Sequence, residues 1–216
     1  NGFYHQIMRN MLQLNNGDGT FSEIGQLAGV SNTDWSWAPL VADFNNDGQK
    51  DIYITNGYLR DYTNMDFMKF YADKELKAAQ GSPTALMDII KEMPSTLTKN
   101  YFFLNKGNLQ FEDKTTAWAC DQLRLSNGAI YVDLDNDGDQ DVVLTSLGGK
   151  QLYMFINDGA GKFTEEAVDR GVAMIDSRPH SGMGVSFGDY NNDGWLDMHT
   201  NEWQPSDVSA YAVPSH

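Results

Sequence analysis

Short apolar runs alternate with turns rich in Gly, Asn and Asp along most of the chain. Residues 129–132 read Ala-Ile-Tyr-Val and residues 142–144 read Val-Val-Leu. Such runs, bounded by turn residues, are typical of β-strands. The pattern changes within residues 58–100, where apolar side chains recur at helical spacing from Leu86 to Met93. These features predict an all-β chain interrupted by one inserted helical hairpin.

One acidic pattern, Asp-x-Asp/Asn-x-Asp-Gly-x-x-Asp, occurs three times, and we call the copies acidic loop 1 (residues 43–51), acidic loop 2 (133–141) and acidic loop 3 (189–197). In a tight loop, positions 1, 3 and 5 point inward, position 7 offers its backbone carbonyl and position 9 closes the shell, while Gly at position 6 permits the turn. The predicted metal ligands are Asp43, Asn45, Asp47, Gln49 and Asp51; Asp133, Asp135, Asp137, Asp139 and Asp141; and Asp189, Asn191, Asp193, Trp195 and Asp197.

Oxygen ligands of this kind favour calcium at three sites. Zinc and copper prefer nitrogen or sulfur ligands, and magnesium is reluctant to dehydrate into a protein cage. An EF-hand needs Glu at the twelfth position, but that position holds Ile54, Leu144 and Thr200. Acidic loop 2 carries one more carboxylate ligand than either other loop, so the tightest site is expected there.

The composition of the chain limits the kinds of partner that it can bind. The formal net charge of -15 argues against nucleic acid and anionic lipid, because both require a basic surface. No apolar stretch is long enough to insert into a membrane.

The single cysteine, Cys120, rules out an internal disulfide, so bound metal is the expected source of extra stability. No catalytic motif is recognised, so an enzyme is the less favoured reading and no catalytic residue is proposed.

A second element precedes each acidic loop: an apolar pair, then Asn, then a glycine turn that ends in Phe, at residues 14–21, 104–111 and 156–163. Together with the acidic loops, these turns resemble the FG-GAP/VCBS repeats of integrin α-subunit propellers and of bacterial secreted proteins similar to cartilage acidic protein. The resemblance implies a radial β-propeller with calcium held in hairpin loops, in a ring of about seven blades.

The repeats divide the chain into four predicted segments. Each blade is expected to contain four strands, in the order glycine hairpin and then acidic hairpin. The segments are a blade at residues 1–57, the helical insertion at 58–100, a blade at 101–150, and a blade with the start of another at 151–216. Three blades cannot close a ring, so we expect either a fragment of a longer protein or other chains that complete it.

The favoured function is a calcium-binding β-propeller, secreted or on the cell surface, with a bacterial periplasmic location as the alternative. It would act as a binding or adhesion module and present one propeller face to a protein or glycan ligand. Two other functions stay open. The chain could belong to a polysaccharide lyase or be an accessory subunit of a carbohydrate-active enzyme, or it could be a structural component of a surface layer or filament.

Overall fold

The chain is built almost entirely from antiparallel β-strands. The computed structural model describes residues 9–61, 63–67, 69, 90–118, 120–146, 151–173 and 182–202. Within these ranges the strands and the one named helix are β1 Gln13–Asn15, β2 Phe21–Glu23, α1 Gly25–Ala28, β3 Ser36–Ala42, β4 Asp51–Asn56, β5 Tyr101–Asn105, β6 Phe111–Asp113, β7 Ser126–Val132, β8 Asp141–Ser146, β9 Tyr153–Asn157, β10 Phe163–Glu165, β11 Gly182–Gly188 and β12 Asp197–Glu202.

Two four-stranded sheets form the centre of the described structure. Their strand orders are β3-β4-β5-β6 and β7-β8-β9-β10, and two-stranded sheets are formed by β1-β2 and β11-β12. Strand β7 lies beside both β3 and β11, so the first strands of successive sheets are neighbours. This arrangement confirms the all-β prediction and is that of partial propeller blades. The described ranges do not form a closed ring.

The hydrogen-bonded sheets differ from the predicted blades by one hairpin. Each four-stranded sheet begins with an acidic hairpin and ends with the glycine hairpin that follows it in sequence. Strand β4 pairs with β5 through Ile52 with Phe103 and Ile54 with Tyr101. The predicted order was wrong because side-chain alternation identifies strands but does not say which neighbour each strand pairs with. The segment boundaries themselves stay predictions.

The main core lies between the two four-stranded sheets and is strongly aromatic. Phe102 is fully buried and stacks on Phe163 of the next sheet, with ring centroids 4.9 Å apart. Phe44, inside acidic loop 1, is also fully buried and meets the Phe102 ring edge-on at 5.2 Å. Such packing contributes beyond the buried apolar area alone. It anchors one side of an acidic loop directly in the core.

About half of the predicted helical insertion, including residues 70–89, lies outside the described ranges. Its two described ends lie together: the Asp61 amide donates to the Pro94 carbonyl at 2.7 Å, and Thr96 donates to the Asp61 carboxylate at 3.0 Å. These bonds hold the chain together where it leaves and re-enters the sheet. None of the helices in the described ranges has the length and apolarity that a bilayer crossing requires.

Candidate metal centre in the acidic loops

The three acidic loops connect equivalent strand pairs and lie at the same end of their sheets. Each joins the first strand of a sheet to the second, as β3 to β4 in acidic loop 1. All three adopt left-handed backbone conformations at positions 4 and 6, a region that Asn tolerates and Gly favours. The φ angles are 57° at Asn46, 60° at Asn136 and Asn192, 86° at Gly48, 96° at Gly138 and 89° at Gly194. The sequence repeat is therefore a repeat of backbone shape.

Acidic loop 1 satisfies its polar groups internally. The Asn45 side-chain amide donates to Asp47 Oδ2 at 3.1 Å, and the Asp47 backbone amide donates to Asp43 Oδ1 at 3.1 Å. The Gly48 amide donates to Asp43 Oδ2 at 2.8 Å. These bonds turn the carboxylates toward the interior of the loop and occupy some of their hydrogen-bond acceptor positions.

Acidic loop 3 repeats this pattern. Asn191 donates to Asp193 Oδ2 at 2.9 Å, and the Asp193 amide donates to Asp189 Oδ1 at 3.1 Å. The Gly194 amide donates to Asp189 Oδ2 at 2.8 Å. In both loops, the Asn at position 3 supplies a hydrogen-bond donor that an ionised aspartate cannot supply.

Acidic loop 2 concentrates charge with fewer internal donors. Ligand oxygens of Asp133, Asp135 and Asp141 all lie within 4.8 Å of one another. Asp133 Oδ2 accepts the Gly138 amide at 3.0 Å, but Asp133 Oδ1 is buried and has no hydrogen-bond partner within the described part of the chain. A buried acceptor of this kind costs free energy unless a cation or donor meets it.

The electrostatic consequence is a rise in carboxyl pKa values. Burial, together with the nearby charges of Asp135 and Asp137, raises the pKa of Asp141 to about 6. Burial and the Asp137 charge likewise raise the pKa of Asp135. In acidic loop 1, burial raises the pKa of Asp51. A bound cation would oppose these shifts, because it stabilises the ionised form of each carboxyl group.

The aspartate at position 9 also holds each four-stranded sheet together. Asp141 is fully buried; its Oδ2 accepts the Leu134 amide at 2.8 Å and its Oδ1 accepts the Asn157 amide at 2.9 Å. Asp51 is also fully buried and receives the Phe44 amide at 3.2 Å and the Asn105 amide at 2.9 Å. Position 9 therefore links its loop to the next glycine hairpin.

Two asparagines of the glycine hairpins belong to this arrangement, a role that the sequence interpretation missed. Asn105 donates its side-chain amide to the Lys50 carbonyl of acidic loop 1 at 2.9 Å. Asn157 donates to the Gln140 carbonyl of acidic loop 2 at 3.2 Å, and also to the Phe44 carbonyl of acidic loop 1 at 2.8 Å. The signal was present, because Asn recurs at this place in every glycine hairpin.

The position 7 residues were predicted to contribute only backbone carbonyls. Their amides donate to the position 5 carboxylate in each loop, at 2.8 Å for Gln49, 2.9 Å for Asp139 and 2.9 Å for Trp195. The Asp139 side chain accepts a hydrogen bond from Asn46 in the neighbouring loop. Acidic loops 1 and 2 are therefore in direct contact.

Comparison with known proteins agrees with this construction. The model of the FG-GAP-like repeat family matches residues 5–54 and 133–200, which together make up more than half of the chain and include all three acidic loops. No curated protein matches the chain. The family identification predicted from the acidic loops and glycine turns is confirmed: the chain belongs to the FG-GAP-like repeat family.

Proposed function

We propose that this protein is a calcium-binding module, secreted or on the cell surface, in which the ions stiffen one end of the sheets while other surfaces bind a partner. One observation carries the calcium proposal. Acidic loop 2 brings oxygens of Asp133, Asp135 and Asp141 within 4.8 Å of one another, and Asp133 Oδ1 is buried without a partner in the described ranges. Crowded anionic oxygens repel one another unless a cation lies between them.

The chemistry of the loops favours calcium over other divalent ions. Every candidate ligand is a carboxylate, an amide oxygen or a backbone carbonyl, and calcium accepts six to eight such oxygens in flexible geometry. The same loop shape at all three positions supports three sites. Acidic loops 1 and 3 would exchange the Asn45 and Asn191 hydrogen bonds for contacts with the ion.

Two observations support the proposed binding role and location: the family of the chain and the solvent exposure of the loops. FG-GAP repeats are typical of binding modules and are commonly found in extracellular proteins. Most residues of the acidic loops are exposed. Calcium modules with weak sites, of about 10⁻⁴ to 10⁻³ M affinity, work outside cells, where calcium is abundant. Bound ions would also stabilise the fold, because a single cysteine cannot form an internal disulfide.

Thermal unfolding with and without calcium tests this proposal. Purified protein is unfolded in EDTA, in calcium and in magnesium at the same concentration. Saturation at about 100 times the dissociation constant adds about 2.7 kcal/mol of stability per site, so calcium should raise the melting temperature and magnesium should raise it less. The exposed Asp169→Asn variant is the matched control, because it lies outside the acidic loops. An unchanged melting temperature in calcium would refute calcium binding.

A further inference from the structure

A polar and aromatic cleft lies at the opposite end of the sheets from the acidic loops. It has a volume of about 690 Å³ and is formed where β3 begins, β4 ends and β5 begins. This volume falls within the range of about 300 to 1,000 Å³ that is usual for small-ligand sites. The residues that matter for its chemistry are Asn32, Asp34, Trp35, Tyr58 and Tyr101.

Aromatic rings form the apolar walls of this cleft. Trp35 and Tyr58 meet edge to face, with ring centroids 5.6 Å apart and an interplanar angle of 63°. Trp35 is partly exposed, whereas Tyr58 is buried at 9% exposure. Burial raises the pKa of Tyr58 above its ordinary value, at which the hydroxyl is already neutral at physiological pH. Rings of this kind combine a flat apolar surface with a polar edge.

The floor of the cleft is fixed by a chain of side-chain hydrogen bonds. Asn10 donates to Thr33, the Thr33 and Ser36 hydroxyls lie 2.5 Å apart, and Ser36 donates to Asn56 Oδ1 at 3.1 Å. Asn56 is fully buried, and its backbone amide donates to Asn100 at 2.9 Å. Groups held in this way lose little freedom when a ligand binds.

Asp34 presents its side chain to solvent from an unusual backbone conformation. Its φ of 91° is positive, although it is not glycine, and the residue is exposed at the mouth of the cleft. Strained conformations persist where the surrounding structure imposes them, and they concentrate at ligand-binding loops. Asn32, exposed nearby, adds an amide that can both donate and accept.

The charge distribution selects against an anionic ligand. Arg9, the one cation among the described residues of the cleft, is paired with Glu23 at 3.1 Å. Asp34 adds a negative charge, and the chain as a whole carries -15. A neutral sugar fits these features, because its C–H face can lie on an aromatic ring while its hydroxyls meet the carboxylate and amide groups.

We infer that this cleft binds a neutral oligosaccharide, with Trp35 as the stacking surface and Asn32 and Asp34 as hydrogen-bonding groups. The inference deepens the proposed function, since it rests on the binding role and names the class of ligand. A polypeptide ligand is the competing outcome, because it would contact the residues at the edge of the cleft without stacking on the Trp35 ring.

Calorimetric titration in saturating calcium tests the inference. The probes are cellohexaose, laminarihexaose and mannohexaose, with oligogalacturonate as the anionic comparison. At least one neutral probe should bind, and oligogalacturonate should bind at least tenfold more weakly. Trp35→Ala should lower the affinity at least tenfold, and the exposed variants Asn32→Ala and Asp34→Asn should lower it several-fold without unfolding the chain. Asparagine tolerates positive φ, so Asp34→Asn preserves the backbone.

The control variant is Phe21→Ala, which removes an aromatic side chain that is 61% exposed and lies in β2, outside the acidic loops and the residues that line the cleft. It should bind the neutral probe as the parent protein does. Failure of all three neutral probes to bind would overturn the inference, as would equal loss of affinity in Phe21→Ala and Trp35→Ala. Release of unsaturated sugars from oligogalacturonate would also overturn it in favour of lyase activity. The calcium-dependent melting temperature, measured on the same samples, reports separately on the proposed function.

Discussion

Acidic loops 1 and 2 share one backbone shape but differ at position 3, where one has Asn45 and the other Asp135. In acidic loop 1 the side-chain amide of Asn45 donates to Asp47, so a donor within the loop stabilises the Asp47 carboxylate. In acidic loop 2 the third residue adds a carboxylate, and Asp133 Oδ1 is buried without a partner in the described ranges. Burial is the main cause that raises the pKa of Asp141 to about 6, and burial also raises the pKa of Asp51 in acidic loop 1. Acidic loop 1 thus contains a side-chain donor at position 3 that acidic loop 2 lacks.

At position 9 the two loops are alike. Asp51 and Asp141 are both fully buried, and each accepts two backbone amides. This residue therefore has a structural role whether or not an ion is bound. We expect the difference at position 3 to affect ion affinity, whereas the shared contacts at position 9 stabilise the fold.

The largest expected effect comes from removing the position 9 carboxylates. In EDTA, Asp51→Ala and Asp141→Ala should each lower the free energy of unfolding by about 3 kcal/mol or more, because two backbone amides lose a charged acceptor. Urea denaturation measures the loss, and the exposed Asp169→Ala variant should change little. If either variant matched the Asp169→Ala control, position 9 would not have the structural role assigned to it.

The next largest effect should distinguish the two linking asparagines. Asn157→Ala removes side-chain bonds to both acidic loops and should cost about 2 kcal/mol, whereas Asn105→Ala removes one such bond and should cost about 1 kcal/mol. Urea denaturation compares the two variants. Because Asn157 contacts acidic loop 1 through the Phe44 carbonyl, its loss should also weaken calcium binding at both loops in a calorimetric titration. Weakening confined to acidic loop 2 would contradict this coupling.

Exchanging the position 3 residues should change both calcium affinity and stability. Asp135→Asn should weaken calcium binding at acidic loop 2 about tenfold, equivalent to about 1.4 kcal/mol, while it stabilises the protein in EDTA. Asn45→Asp should have the opposite effect on both quantities at acidic loop 1. Titration against a calcium chelator measures the affinities. Equal affinities before and after both exchanges would show that the third residue does not set ion binding.

The smallest expected effect is a pH dependence in the absence of calcium. Because the pKa of Asp141 is raised from 3.8 to about 6, the folded chain binds this proton more tightly than the unfolded chain does. Stability from protonated Asp141 is therefore fully present below pH of about 4 and is lost as the pH rises through about 6. In EDTA, the fall in melting temperature from pH 5 to pH 7 should be smaller in Asp141→Asn than in the parent protein. An identical fall would contradict the raised pKa.

The candidate site was largely predictable because its information is local. The spacing of Asp43, Asn45 and Asp47, with Gly48 next to them, sets both the turn and its oxygen ligands within nine residues. The structure gives all three acidic loops the same positive-φ positions. The glycine turns that end in Phe111 and Phe163 similarly predicted the hairpins β5–β6 and β9–β10. Whether each loop binds calcium stays a prediction.

The grouping of hairpins into sheets was not predictable in this way. The choice of β5 as the partner of β4 depends on contacts across more than forty residues, such as Asn105 with Asp51, and alternation of side chains carries no such information. The cleft around Trp35 was equally hidden, since its walls come from strand ends that are far apart in the sequence, as Tyr58 and Tyr101 are.

The sequence alone predicted the strands, the shared shape of the acidic loops and the family, because each depends on side chains within a few positions of one another; the oxygen ligands stay a prediction. Tertiary structure decided which hairpins share a sheet, which carboxylates are buried, and that Asn157 reaches two loops at once. Burial and pairing arise only when distant segments exclude water from the same space, so the pKa of Asp141 and the contact between acidic loops are properties of the folded chain.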